Sequence, residues 1–249
     1  MITLDPQNPR AVAFREELVR RVPEDIGGDD LVIVIGGDGF LLQTVARLGL
    51  ARRYLGINSG HLGFLLNDVD DWDRLAERLV GGRFEETRFP VLSATMHRAN
   101  GETVEDFAIN DVYLERMTSQ TARLRVSIDG VTVVDPLVAD GVILSTAVGS
   151  TAYAFSAGGP AIHPALRVIG VTPICPHQPR LSSMVLPASS AVAVFAQEPD
   201  RRPVRCVADG RGVDAIVRVD VRLGPAEATL CHLEGHQPTT RMVRKLAGG

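Results

Sequence analysis

Apolar residues along the chain change texture near residue 88. Before that point, short unbroken runs alternate with helical stripes. Residues 11–22 (AVAFREELVRRV) put Val12, Leu18, Val19 and Val22 at helical spacing, and Pro23 and Gly27-Gly28 close the segment. Leu31–Ile35 is continuously apolar and rich in β-branched residues, which predicts a parallel strand buried on both faces. Phe40–Leu48 (FLLQTVARL) reads as a helix stopped by Gly49, and Tyr54–Asn58 as a second strand. Residues 67–82 (NDVDDWDRLAERLVGG) predict a helix with carboxylates at its start, suited to the helix dipole. Asp68, Asp70, Asp71 and Asp73 then belong to a helix start rather than a calcium loop, whose pattern Trp72 interrupts.

Beyond residue 88 the runs are short, Val-rich and punctuated by Gly, Pro, Asp and Asn. VLSATMHR, FAINDVYLER, ARLRVSIDGVTVVD, GVILST, MVLPASSAVAVFA, VRCVADGR, DAIVRVDVRL and ATLCHLEG read as strands, with a hairpin turn at Asp129-Gly130. This predicts an all-β region, a sandwich, with a helix somewhere in 150–170. The tail PTTRMVRKLAG is helical in pattern and is expected to pack back on the first domain. The expected organisation is an α/β domain over 1–88, a β-sandwich over 89–235 and a returning tail over 236–249. A cleft between two such domains is a usual place for a ligand.

The 249 residues are 45% hydrophobic and 22% charged, with aromatics at 5%, so Val, Leu, Ile and Ala must fill the cores. A net charge of −4 argues against a nucleic-acid binder, which presents a basic face. The basic clusters at Arg52-Arg53, Arg201-Arg202 and Arg241–Lys245 read as solvated surface. Cys175, Cys206 and Cys231 are widely spaced, odd in number and without metal-type spacing, which fits a reducing compartment. No apolar signal core opens the chain, and no apolar run approaches the roughly 18–20 residues of a membrane span. A soluble, cytoplasmic protein is expected, with no nucleic-acid or membrane partner.

Four segments carry candidate chemistry. Gly36-Gly37-Asp38-Gly39 lies between a predicted strand and a predicted helix. Glycines let backbone amides approach a ligand closely, and a helix start favours an anion. The segment is neither a P-loop nor the dinucleotide fingerprint, whose third glycine is here Leu42. An aspartate beside phosphates is repulsive unless it holds a metal or takes a proton, so the carboxylate itself suggests chemistry. A plain Asp-Gly turn is the alternative. NSGHLGFL (58–65) repeats the form: Asn58, Gly60 and Gly63 suit a phosphate or nucleotide loop, Phe64 and Leu65 suit a planar base, and His61 is a further candidate. Asn110-Asp111 pairs an amide with an acid, able to grip vicinal hydroxyls, or else simply forms a turn. In residues 139–160, Asp140, Ser145, Thr146, Ser150, Thr151, Tyr153 and Ser156 gather around Gly149. So many small hydroxyls predict a loop lining a polar ligand rather than core.

Together these blocks, in this order, resemble the NAD kinase family, the ATP-dependent enzymes that make NADP. The resemblance runs through GGDG, NSGHLGFL, INDV, STAVGSTAYAFSAGGP, TPICPH, Asp209-Gly210 and the final RKL. It implies an α/β domain followed by a β-sandwich, NAD as acceptor, and ATP or polyphosphate as donor. It also implies a divalent metal, Mg²⁺, accompanying the donor, and a homodimer or homotetramer; no residue is assigned as a metal ligand. Asp38 matches the catalytic aspartate, Asn110 and Asp111 the pair that contacts the dinucleotide, and Phe64 the aromatic near the adenosine. Gly39, Asp140, Thr151, Ala152, Tyr153 and Ser156 match further positions lining that pocket. The implied chemistry suits a carboxylate, which would orient the 2′-hydroxyl and accept its proton as the bond to phosphorus forms. Three positions depart from the pattern. Phe40 replaces the usual Thr after GGDG, and Ala147 and Val148 replace a proline and a hydroxyl residue. These departures predict weakened NAD recognition or a shifted donor or acceptor preference, and they leave open a dinucleotide-binding sensor without kinase activity. Lipid kinases and phosphofructokinases use similar glycine-aspartate loops, but the GSTAY and NxGxxGFL blocks do not fit them.

Overall fold

The apolar run at Leu31 forms an inner strand of a parallel sheet. The computed structural model describes residues 1–23, 26–28, 30–60 and 63–246, the side chains of 244–246 excepted. It divides into two compact units, Met1–Phe89 with Glu227–Gly249, and Pro90–Ala226.

The first unit begins with β1 (Ile2–Leu4), which no sequence pattern announced, and α1 (Pro9–Val19), capped by the Asn8 side chain on the Arg10 amide. Then follow β2 (Leu31–Gly36), α2 (Asp38–Leu48), β3 (Arg53–Asn58) and α3 (Trp72–Val80). Every residue of β2 is buried, as expected of a parallel strand covered on both faces. Strand order is β1-β2-β3, all parallel, with the end of a late strand, β15 (Ile216–His232), added parallel to β3 at Thr229 and Leu230. In α1 the buried positions are Ala11 and Leu18, while Val12 and Val19 are exposed. The expected stripe was therefore misplaced, because small Ala11 rather than Val12 sits against the sheet. Asp71 caps α3 by accepting from the Asp73 and Arg74 amides, so the acidic run is helix-start chemistry. The tail forms α5 (Pro238–Leu246), which belongs to this unit.

The second unit is a sandwich. β4 (Glu85–Arg98) pairs β5 (Thr103–Ala108) and β15. The other side of β15 continues through β12 (Ala191–Ala196) and β7 (Ala122–Ile128) to β8 (Val131–Ala139). The second sheet takes the order β11 (Met184–Pro187), β10 (Val168–Ile174), β9 (Gly141–Ser145), β6 (Asp111–Arg116), β13 (Val204–Ala208), β14 (Arg211–Val213). Both sheets bury one shared core, including Leu92, Leu114, Leu124, Leu137, Leu144 and Val194. Asp129 and Gly130, at φ 51° and 80°, make the expected two-residue hairpin turn.

Two runs were grouped differently by the fold. FAINDVYLER is two strands, broken at Ile109-Asn110. DAIVRVDVRL and ATLCHLEG are one strand, β15, continuous through Gly224-Pro225 because Pro225 occupies an exposed position in it. The helix expected in 150–170 is reduced to a 3₁₀ turn at Gly149–Thr151 and the single turn α4 (Tyr153–Ser156). Among the described residues no helix is long and apolar enough to cross a membrane.

Candidate active site

β2 ends at Gly36, and Gly37 is the N-cap of α2, without a side-chain cap. The helix therefore starts at Asp38, two residues before its apolar stripe. Its first amides and the positive end of its dipole favour a negative group there. The carboxylate of Asp38 turns to the second glycine loop: Oδ2 accepts the Phe64 amide at 2.7 Å and Oδ1 the Leu65 amide at 3.0 Å. The Ser59 amide donates to the Gly36 carbonyl at 3.0 Å, tying the ends of β2 and β3. Gly39 is exposed in the first helical turn. Half-buried Phe40 lies over Gly36, where a Cβ would come within 2.9 Å of its ring.

Asn58 organises the second loop. Its Oδ1 accepts the Gly60 amide at 2.9 Å and its Nδ2 donates to Asp68 at 2.8 Å. Gly63 is buried against Leu66, and Phe64 is half-buried. The Arg241 guanidinium donates to the Gly63 carbonyl and, at 2.9 Å, to Asp68. Behind the loop, fully buried Asn67 donates to the Gly56 and Cys231 carbonyls and accepts the Leu233 amide. His61 lies outside the described residues.

In the second unit the break at Asn110 is held from two sides. Asp209 Oδ2 accepts the Ile109 amide at 2.6 Å, and its Oδ1 accepts those of Asn110 and Asp111 at 3.0 and 3.2 Å. From the other side, the Thr146 amide donates to the Asn110 carbonyl at 2.9 Å, and the Thr146 hydroxyl to the Ile109 carbonyl at 2.6 Å. A Cβ on Gly149 would fall 1.9 Å from the Asn110 carbonyl oxygen, so only glycine fits. Asp111 is 6% exposed and Asp209 8% exposed. Burial, with the Asp209 charge second, pushes the Asp111 carboxyl up to about 7. Burial pushes Asp209 up as well, against the three amides and Arg211, which favour its charge.

The hydroxyl-rich segment is largely turned inward. Ser145, Thr146, Ser150 and Thr151 are buried. The Ser150 hydroxyl donates to the Ala147 carbonyl at 2.6 Å and accepts the Ile162 amide at 2.8 Å, while Thr151 donates to the Val148 carbonyl at 3.3 Å. Small hydroxyls suit a buried irregular backbone because each can satisfy a peptide group locally. Ala152 joins the 3₁₀ turn to α4, and Ser156 is exposed. Tyr153, exposed, meets Tyr113 edge-to-face at 5.0 Å. Asp140 and the Asn110-Asp111 pair stand at opposite ends of β9, with α4 packed over its middle through Ala154 on Ile143. Asp140 accepts from Arg116 Nε at 2.6 Å. Among the described residues no three His, Cys, Asp or Glu side chains are placed to hold a metal ion.

A sequence model described as the ATP-NAD kinase C-terminal domain matches residues 109–233, the span holding the Asn110, Gly149 and Asp209 cluster. An NAD kinase of Xanthomonas oryzae pv. oryzae is 37% identical over 221 residues, covering 87% of this chain and 84% of that one. The chain belongs to the NAD kinase family. Its fold is shared by yeast NADH kinase, whose crystal structure is a complex with NADH. The TM-score is 0.84 at 22% identity, covering 99% of this chain and 86% of that one. It is shared too by an NAD kinase from Archaeoglobus fulgidus in complex with ATP, with TM-score 0.78 at 25% identity, covering 99% and 96% of the two chains.

Several residues that build this candidate site have no obvious sequence signal. Asp209 had a partial one: Asp209-Gly210, at φ 43° and 80°, is a two-residue hairpin turn between β13 and β14, as any Asp-Gly between apolar runs predicts. That its carboxylate would reach back about 100 residues was not readable. Asn67 and Arg241 looked like a helix-start residue and a surface charge.

Proposed function

We propose that this chain transfers the γ-phosphoryl group of ATP to the 2′-hydroxyl of the adenosine ribose of NAD, giving NADP and ADP. One observation carries the reading: in a chain of the NAD kinase family, an aspartate stands at the positive end of a helix with both carboxylate oxygens held by backbone amides. The amide bonds orient Asp38 without neutralising it. A carboxylate is too weak a base to strip an alcohol beforehand, so Asp38 holds the hydroxyl and takes its proton as oxygen bonds to phosphorus and the bond to ADP breaks. The proton then passes to water, and no phospho-enzyme forms.

Gly36, Gly37, Gly60 and Gly63 shape the loops that receive the phosphates at the start of α2, the Gly60 amide being held by Asn58. Asn58 keeps their loop in shape. Asn110 and Asp111 contact the dinucleotide, as do Asp140, Thr151, Ala152, Tyr153 and Ser156 of the same unit and Gly39 and Phe64 of the first unit. A divalent metal, Mg²⁺, would come with the donor's phosphates, keeping several waters, and would offset phosphate charge there. The protein works in the cytoplasm as a homodimer or homotetramer.

The test is a coupled assay for NADP with ATP, GTP and polyphosphate, beside NAD binding by calorimetry. Asp38→Asn should lower turnover by at least about a hundredfold, the usual scale of a lost general base, with NAD affinity nearly unchanged. Full activity in that variant defeats the assignment of the base. Clear NAD binding without turnover on any donor identifies a sensor instead.

A further inference from the structure

Arg241 reaches the peptide group that holds Asp38. The Gly63 carbonyl and the Phe64 amide are the two ends of one peptide plane. Arg241 donates to its oxygen, while its N–H donates to Asp38 Oδ2 at 2.7 Å. A peptide unit is rigid and planar, so fixing the oxygen fixes the direction of the N–H. Gly63 gives this plane unusual freedom, because a glycine tolerates the dihedrals a flipped peptide needs. A flip would turn a carbonyl toward the carboxylate, replacing attraction by repulsion.

Arg241 is well placed to prevent that. It is 7% exposed on α5, and its Nη2 is anchored at 2.9 Å on Asp68. Asp68 in turn accepts from Asn58 at 2.8 Å. A bidentate fork between a carbonyl and a carboxylate holds orientation as well as charge. The donor on the oxygen also polarises the peptide, strengthening the N–H bond at its far end.

We propose that Arg241 is a positioning residue for Asp38, acting through the Gly63–Phe64 peptide, so that the C-terminal helix sets the geometry of proton transfer. The proposal rests on Asp38 being the base. Arg241→Gln and Arg241→Lys are compared with the parent protein for kcat, KM for NAD and ATP, and thermal midpoint. A misdirected catalytic group costs turnover rather than affinity. Arg241→Gln should lose about ten- to a hundredfold in kcat with both KM values within about threefold. Arg241→Lys, which keeps the charge but not the fork, should fall between. A kcat within about threefold of the parent in folded Arg241→Gln overturns the proposal, as does a loss confined to KM. If Arg241→Gln does not fold, Asp68→Asn, which loosens the anchor and leaves Arg241 in place, decides by the same split. Asp38→Asn, assayed alongside, separates the two failures. If it retains turnover the base assignment falls, and if it alone loses turnover only the role of Arg241 falls.

Discussion

Replacing Asp111 by Asn should change how the stability of this protein depends on pH. Asp111 is buried beside Asp209, and its carboxyl titrates at about 7 in the folded chain against 3.8 for a free aspartate. The difference of about 3 units corresponds to roughly 4 kcal/mol. Its sign follows from proton counting. Between about pH 4 and 7 the folded chain keeps a proton that the unfolded chain has released, so stability falls as pH rises through that window and levels off above it. Asp209 is pushed the same way by burial, so the two carboxyls titrate as a pair.

His232 acts oppositely. It is fully buried, and burial, then Arg241 and His236, depress it to about 4 from 6.5. A depressed histidine contributes stability that is present above about pH 6.5 and lost as pH falls toward 4. In the parent protein the two slopes oppose each other, so the gap between parent and variant is the useful quantity. Urea unfolding of both proteins from about pH 5 to pH 8 measures it. The Asp111→Asn variant should gain on the parent by about 3 kcal/mol across that range, or roughly 10 °C in thermal midpoint. A gap constant to within about 1 kcal/mol from pH 5 to pH 8 refutes the buried-proton argument.

Two further substitutions probe the frame around the site. Gly149→Ala places a Cβ 1.9 Å from the Asn110 oxygen, 2.3 Å from its carbonyl carbon and 2.5 Å from its Cα, all backbone. Asn110 must then retreat by more than an ångström, which should destabilise the fold by at least about 1–3 kcal/mol and raise KM for NAD; calorimetric melting and steady-state kinetics check both. Asn67→Ala removes the side-chain bonds to the Cys231 carbonyl and the Leu233 amide, while the Gly56 carbonyl keeps the backbone amide of residue 67. Loss of these buried bonds should lower stability by about 2 kcal/mol or more, and a midpoint within a few degrees of the parent contradicts that role.

Local pattern and composition were enough to determine most of the elements. An all-apolar β-branched run could only be a doubly covered strand. Asp129-Gly130 between two apolar strands marked a hairpin turn, and carboxylates followed by an apolar stripe marked the start of α3. The glycine-aspartate motif was legible because it is contiguous, and the order of distant motifs made the family legible as well. Errors arose where long-range packing decides. The α1 stripe was misjudged because the sheet selects Ala11, not Val12, as the inward residue. What only the tertiary structure decided was the set of groups holding the candidate residues in place. Asp209 fixes Asn110 and Asp111 from about 100 residues away, and Arg241 grips the peptide that holds Asp38 from 178 residues beyond Gly63. Helix and strand periodicities record which face a residue shows to its neighbours. They carry no information about which distant backbone group a charged side chain will meet, and that meeting aims the chemistry.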